Sequence, residues 1–139
     1  MIAEQLAGKR IAVTGSTGFV GTALVERLLR SAPGCELVLL IRPSKRHDAT
    51  ERARREIFKN NAFDRLKAEL VAAGGETFDE MIARRVLCVG GDVSTDGLGL
   101  SDADKAIFAG CDTIIHSAAA VSFDSPLDLA VEINLLGPP

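Results

Sequence analysis

Short, uninterrupted apolar runs alternate along this chain with segments in which apolar residues return every third or fourth position. The first run is Ile11-Ala12-Val13, opening at Arg10. After it, Val20, Leu24 and Leu28 recur at i+4 with Val25 and Leu29 beside them, a helical stripe that turns Glu26, Arg27 and Arg30 to water. Pro33-Gly34 stops that helix, and Leu37-Val38-Leu39-Leu40-Ile41 follows as a run suited to a strand buried on both faces of a parallel sheet. Strand, helix and strand make a βαβ unit.

From Asp48 to about residue 84 the pattern becomes a charged helical excursion, longer than a minimal crossover. Asp48 with Glu51 resembles a helix start, Ile57 and Phe58 form an apolar patch, and Asn60-Asn61 interrupts. Phe63, Leu66 and Leu70 resume helical spacing, Gly74-Gly75 marks a loop, and Phe78, Met81 and Ile82 indicate another short helix. This insertion is expected to cover a sheet edge and to take no part in catalysis. Arg85 to Gly90 gives a third strand with Val86 to Val89 as its apolar centre. Ser101 with Asp104 caps a helix through Phe108, which Gly110 ends before a fourth strand at Thr113-Ile114-Ile115. A last helix starts at Ser125-Pro126 and puts Leu127, Ala130, Val131 and Asn134 on one face; Gly137-Pro138-Pro139 cannot continue it in regular form. The expectation is a doubly wound α/β parallel sheet of about four strands, a Rossmann-like domain spanning residues 1–139 with a helical insertion at about 48–84.

Composition narrows the function classes. With 139 residues, the chain is long enough for one domain that buries about two thirds of its unfolded surface. A net charge of -3 provides no general attraction to nucleic acid or anionic lipid. No apolar stretch approaches the roughly 20 residues of a bilayer span, and Met1 to Lys9 lacks a signal-peptide core. Cys35, Cys88 and Cys111 lie far apart without a Cys-x-x-Cys pair or a histidine at ligand spacing, so they read as core thiols in a reducing, cytoplasmic setting with no metal site. The chain has no Tyr and no Trp.

The chemistry is concentrated after the first run, in Thr14-Gly15-Ser16-Thr17-Gly18-Phe19-Val20-Gly21. Gly15 lets the chain leave the strand through a tight turn, Gly18 lets backbone approach a pyrophosphate, and Gly21 lets the helix pack closely. Free amides at the helix start then face an anion, with Ser16, Thr17, Phe19 and Val20 filling the loop between the glycines. The ligand read from this pattern is a dinucleotide. Two positions separate the first two glycines where the common fingerprint has one.

The second strand ends in Arg42, where an NAD site usually has an acidic residue for the ribose hydroxyls. A guanidinium there suits a 2′-phosphate, which favours NADPH over NADH, while Lys45 and Arg46 read as solvated charges. Beyond the third strand, Asp92 either accepts from the adenine amino group, with Val93 packed on the ring, or organises the turn. Ser117, Ala118 and Ala119 follow the fourth strand, and small residues there leave room for ribose and nicotinamide. His116 reads as a positioning or core residue in preference to a general base. Asn134 is either paired to backbone or water, or is a surface residue near a fraying end.

Taken together, the glycine loop, Leu40-Ile41-Arg42-Pro43, Phe63-Asp64-Arg65-Leu66, Gly91-Asp92-Val93-Ser94, Leu98-Gly99-Leu100-Ser101, His116-Ser117-Ala118-Ala119, Val121-Ser122-Phe123-Asp124 and Glu132-Ile133-Asn134-Leu135-Leu136-Gly137 resemble the N-terminal NAD(P)-binding part of fatty acyl-CoA reductases. These belong to the extended short-chain dehydrogenase group, which also holds the reductase domains of carboxylic acid reductases. The resemblance covers nearly the whole chain. It implies NADPH-dependent reduction of a fatty acyl thioester to aldehyde or alcohol, with the catalytic Tyr-x-x-x-Lys and Ser or Thr outside residues 1–139. It carries over the cofactor side only: Gly15 to Gly21, Arg42, Asp92, Val93 and Ser117 to Ala119, with Asn134 matching an Asn that supports the catalytic Lys through water. Pro138-Pro139 departs from the family pattern, and with the missing Tyr it implies a chain that binds cofactor, is inactive alone and meets acyl-CoA through a further C-terminal part. A non-catalytic NADP(H)-binding module, or an epimerase- or sterol-dehydrogenase-type relative, is the alternative. An unpaired sheet edge would favour self-association.

Overall fold

The computed structural model describes residues 1–136; Gly137-Pro138-Pro139 lie outside the described residues. A short α1 (Ile2–Leu6) leads into β1 (Arg10–Thr14), the glycine loop and α2 (Phe19–Ser31). Then come β2 (Glu36–Ile41), α3 (Ala49–Arg52) with a π-helical turn at Ala53–Ile57, α4 (Asp64–Ala73) and α5 (Phe78–Arg85). The remainder is β3 (Val86–Gly90), α6 (Asp102–Ala109), β4 (Thr113–His116) and α7 (Leu127–Val131).

All four strands are parallel, in the order β3-β2-β1-β4, so the chain crosses from one side of β1 to the other between β3 and β4. Thr14 stands opposite Leu40 of β2 and His116 of β4. The carboxyl ends of β1 and β4 therefore flank the switch point where open parallel sheets collect ligands.

One face of the sheet buries Ile11, Val13, Leu37, Leu39 and Ile41 against α2 and the insertion; the other buries Ala12, Val38, Leu40 and Val89 beneath Phe108 of α6. Every residue of Leu37–Ile41 is at least nine-tenths buried, as expected of a central strand with helices on both sides. The insertion packs on β2 and the edge strand β3, with Phe58, Phe63 and Phe78 meeting edge to face at 5.5–6.3 Å. Its start uses the expected Asp48 cap, whose carboxylate accepts from the Glu51 amide at 2.8 Å.

Four local expectations are corrected. Glu26 is buried, because its carboxylate pairs with Arg30 at 2.6 Å along the same helix face. Val20 is exposed in the first turn of α2, whose buried residues begin at Gly21. Arg85 closes α5 and is buried, with its guanidinium turned onto backbone carbonyls of α2 and the segment after it. The cap of α7 is Pro126 and not Ser125, and Leu127 and Val131 of its apolar stripe are exposed, while Ala130 is half-buried. Ile114 of β4 is similarly half-exposed at the sheet edge.

Candidate functional site

The glycine loop is shaped by backbone that admits no side chain. Gly15 has φ +71°, and a Cβ on it would lie 2.5 Å from the Ser117 and Ala118 backbone. A Cβ on Gly21 would meet the Gly15 carbonyl oxygen at 2.0 Å, so this glycine seats α2 on the loop itself as well as beside the strand. Gly18 is the N-cap of α2 and carries no side-chain cap, and the Thr22 hydroxyl closes the loop from within by donating to the Ser16 carbonyl at 2.9 Å. The first-turn amides of α2 thus follow an uncapped glycine at the positive end of a 13-residue helix.

Opposite the loop, the segment after β4 is pinned by Thr14. Its hydroxyl accepts from the Ser117 and Ala118 amides at 3.2 and 3.3 Å, and lies 2.7 Å from His116 Nδ1. With both lone pairs engaged, the hydroxyl donates its own proton to Nδ1, and the network assigns the ring proton of His116 to Nε2. His116 is exposed and positions the ledge through Thr14. At the ledge's far end, Asn134 Oδ1 accepts from the Ala120 amide at 2.7 Å and Nδ2 donates to its carbonyl at 3.0 Å. Asn134 is therefore backbone-paired, although exposed.

Between loop and ledge lies an open cleft of about 410 Å³. Of the residues singled out from sequence, Gly15, Thr17, Gly18, Arg42, Asp92, Val93, Ser117, Ala118 and Ala119 line it. Ser16, Phe19, Val20, Gly21 and Asn134 do not: Ser16 is buried behind the loop with its hydroxyl unpartnered among the described residues, and the Phe19 side chain is 94% exposed. Of the two readings of Asp92, the turn-organising one is seen in its contacts. Oδ1 accepts from the Ser94 hydroxyl at 2.7 Å and its amide at 2.9 Å, organising the turn, while Oδ2 lies 3.9 Å from Arg42 Nη1.

These contacts, the Ser94 hydroxyl foremost, then the Ser94 amide and the Arg42 charge, hold the Asp92 carboxyl below its ordinary value of 3.8. A carboxyl depressed on folding contributes stability that is complete above the unfolded value and is lost as pH falls through the lower folded one. The difference in unfolding free energy between the native chain and Asp92→Asn is accordingly expected to be constant near neutrality and to shrink below pH 3.8; urea titrations at a series of pH values measure it. A difference independent of pH would contradict this.

Sequence reasoning missed Arg52, Gly91, Thr14 and Ile133, which also line the cleft. Arg52 comes from the insertion, donates to the Arg42 carbonyl, and is held by Glu56 at 2.7 Å across the π-helical turn. Only the i,i+4 spacing of Arg52 and Glu56 signals this. Gly91 is required because a Cβ there would lie 2.4 Å from Leu40 Cδ1 and 2.5 Å from the Leu98 carbonyl.

The family whose model matches residues 13–139 is an NAD-binding family described as male sterility protein. Among curated relatives, the chain is 36% identical over 137 residues to probable fatty acyl-CoA reductase 5 of Arabidopsis thaliana, covering 96% of this chain and 27% of that protein. Among solved structures, it is similar to the terminal R domain of the myxalamid PKS-NRPS biosynthetic pathway (TM-score 0.69, 27% identity, 93% of this chain and 29% of that one). It is also similar to the reductase domain of a nonribosomal peptide synthetase from Mycobacterium tuberculosis (TM-score 0.58, 36% identity, 83% of this chain and 25% of that one). The chain thus spans about a quarter of the length of these three proteins, and among its described residues no helix is long and apolar enough to cross a membrane.

Proposed function

We propose that this chain, which belongs to the male sterility protein family of NAD-binding domains, is the NADP(H)-binding part of a reductase that takes a fatty acyl thioester to an aldehyde or alcohol. The observation that carries the reading is the glycine loop, whose Gly15 and Gly21 leave no room for a Cβ beside an uncapped helix start. That is the chemistry of a diphosphate cradle.

In this reading, the amides after Gly18 would hold the diphosphate, and Arg42 and Arg52 would face the 2′-phosphate at the adenosine end. Arg42 is free to do so at low cost: its side chain is 73% exposed and its pairing with Asp92 at 3.9 Å is worth about 1 kcal/mol or less. Val93 would pack on adenine. The ledge of Ser117, Ala118 and Ala119, kept flat by Thr14 and Asn134, would leave space for ribose and nicotinamide. When bound, the cofactor supplies the hydride. Protonation of the carbonyl oxygen falls to groups beyond this chain, which contains no Tyr. The proposed setting is a reducing, cytoplasmic one, and acyl-CoA is the proposed partner of the whole protein.

Calorimetric titration tests the cofactor preference. NADPH is expected to bind more tightly than NADH, and Arg42→Ala to weaken NADPH by about tenfold, the lower end of a charge-assisted phosphate contact, with NADH little changed. An unaltered preference for NADPH in Arg42→Ala would remove Arg42 from the reading. The purified chain is expected to show no NADPH oxidation with a long-chain acyl-CoA, and turnover would refute its dependence on residues beyond it.

A further inference from the structure

On the far side of α3 from the cofactor cleft, the insertion and β3 enclose a second, larger groove of about 800 Å³. Its floor is apolar: Phe58, Phe78 and Ile82 from the insertion, with Val86, Leu87 and Cys88 from the edge strand. Burial pushes the Cys88 thiol up to about 11, so it stays protonated and belongs to that apolar floor. The rim is basic. Arg54, Lys59 and Lys67 line it against a single carboxylate, Asp79. Neither Arg54 nor Lys59 has a salt-bridge partner among the described residues, although Arg52 and Arg55 beside them are each paired with a glutamate. Lys67 is fixed in place, its Nζ 4.8 Å from the Phe78 ring centroid and donating to the Phe58 carbonyl at 3.1 Å.

An apolar trough with unpaired cations at its lip complements one kind of ligand, a hydrocarbon chain ending in an anion. Its volume falls in the ordinary range for small-molecule sites, about 300–1,000 Å³. We propose that this groove binds a long-chain fatty acid, its carboxylate at Arg54, Lys59 and Lys67 and its alkyl chain over Phe58, Phe78, Ile82 and Leu87. The site is separate from the dinucleotide cleft, because α3 and the π-helical turn stand between them: Arg52 faces one and Thr50 and Arg54 the other. A chain bound here lies away from the Ser117–Ala119 ledge and is not the one being reduced. The inference does not depend on the cofactor reading.

With no Trp or Tyr in the chain, binding is read with a fluorescent fatty acid, cis-parinarate, and by its displacement with monomeric palmitate. Saturable binding that palmitate displaces and hexadecanol does not is expected. Arg54→Glu with Lys59→Glu, both exposed positions, is expected to weaken it by about tenfold or more, and Leu87→Asp to do the same from the floor. NADPH affinity is expected to be unchanged in both variants, with folding checked by circular dichroism. The proposal is overturned by absence of saturable binding, by binding indifferent to the charge reversals or to the carboxylate, or by competition with NADPH. It is equally overturned if palmitate does not bind but anionic phospholipid vesicles do, which would make the groove a membrane-contact surface.

Discussion

Gly21→Ala is expected to weaken NADPH binding by at least about a hundredfold and to lower stability by about 1–3 kcal/mol. The added methyl would stand 2.0 Å from the Gly15 carbonyl oxygen, 2.7 Å from its carbon and 2.8 Å from Ser16 Cα. All three are backbone, so no rotamer change relieves the overlap. Either α2 lifts off the loop, or Gly15 is pushed toward the Ser117–Ala118 backbone, which already allows no Cβ on Gly15. Both movements displace the first-turn amides from a phosphate, and each charge-assisted hydrogen bond lost costs about 1.5–3 kcal/mol, so two of them account for the hundredfold. Calorimetry for binding and thermal melts for stability measure the two effects separately. Gly75→Ala is the matched control, since nothing lies within 4 Å of a Cβ there, and it should leave both unchanged. If Gly21→Ala binds NADPH like the native chain, the loop is not the cradle.

This contrast also explains how much of the molecule the sequence discloses. The glycines announce themselves because each requirement is local or nearly so: a turn with φ +71° at Gly15, and a helix start within a few residues of it. The helix caps at Asp48 and Ser101 are legible for the same reason, since the carboxylate or hydroxyl reaches an amide three residues on. The buried run of β2 is legible because a central strand needs apolar residues on both faces. Groups whose partners lie far along the chain were hidden. Thr14 engages amides over a hundred positions later, and its role depends on β4 lying beside β1, a pairing that composition does not encode. Arg52 was hidden differently: within a charged helix its spacing from Glu56 reads as an ordinary solvated pair, and only the packing of α3 near the end of β2 turns it into a wall of the cleft. Glu26 and the stripe of α7 show the converse error, in which a simple inside-outside rule fails because an ion pair permits burial in one case and, in the other, Leu127 and Val131 stay exposed among the described residues.

Arg85 is where that blindness to distant partners matters most for stability, and Arg85→Met is expected to lower it by about 3–5 kcal/mol, since three buried carbonyls lose their donor at about 1–3 kcal/mol each. The guanidinium is buried and donates through Nε to the Cys35 carbonyl at 2.8 Å, through Nη1 to the Leu29 carbonyl at 2.8 Å, and through Nη2 to the Ala32 carbonyl at 2.9 Å. Leu29 and Ala32 sit in the last turn and C-cap of α2, where carbonyls lack helical partners and the dipole is negative. One side chain from α5 thus satisfies the end of the helix whose other end forms the proposed phosphate cradle. Methionine fills much of the same volume without donating, so its loss isolates the polar contribution from a packing defect. For a domain of ordinary stability, about 5–15 kcal/mol, the deficit is a large fraction, and the melting temperature should fall by about 10 °C or more. Arg85→Lys retains the charge but lacks the planar fork that reaches three carbonyls, and should recover only part of the loss. Because the defect lies at the far end of α2 from Gly18, NADPH affinity of the folded Arg85→Met chain should match the native value at a temperature well below its melt. A melting temperature unchanged in Arg85→Met would show that water replaces the guanidinium at these carbonyls without cost, and would deny this residue its place as the cap of α2.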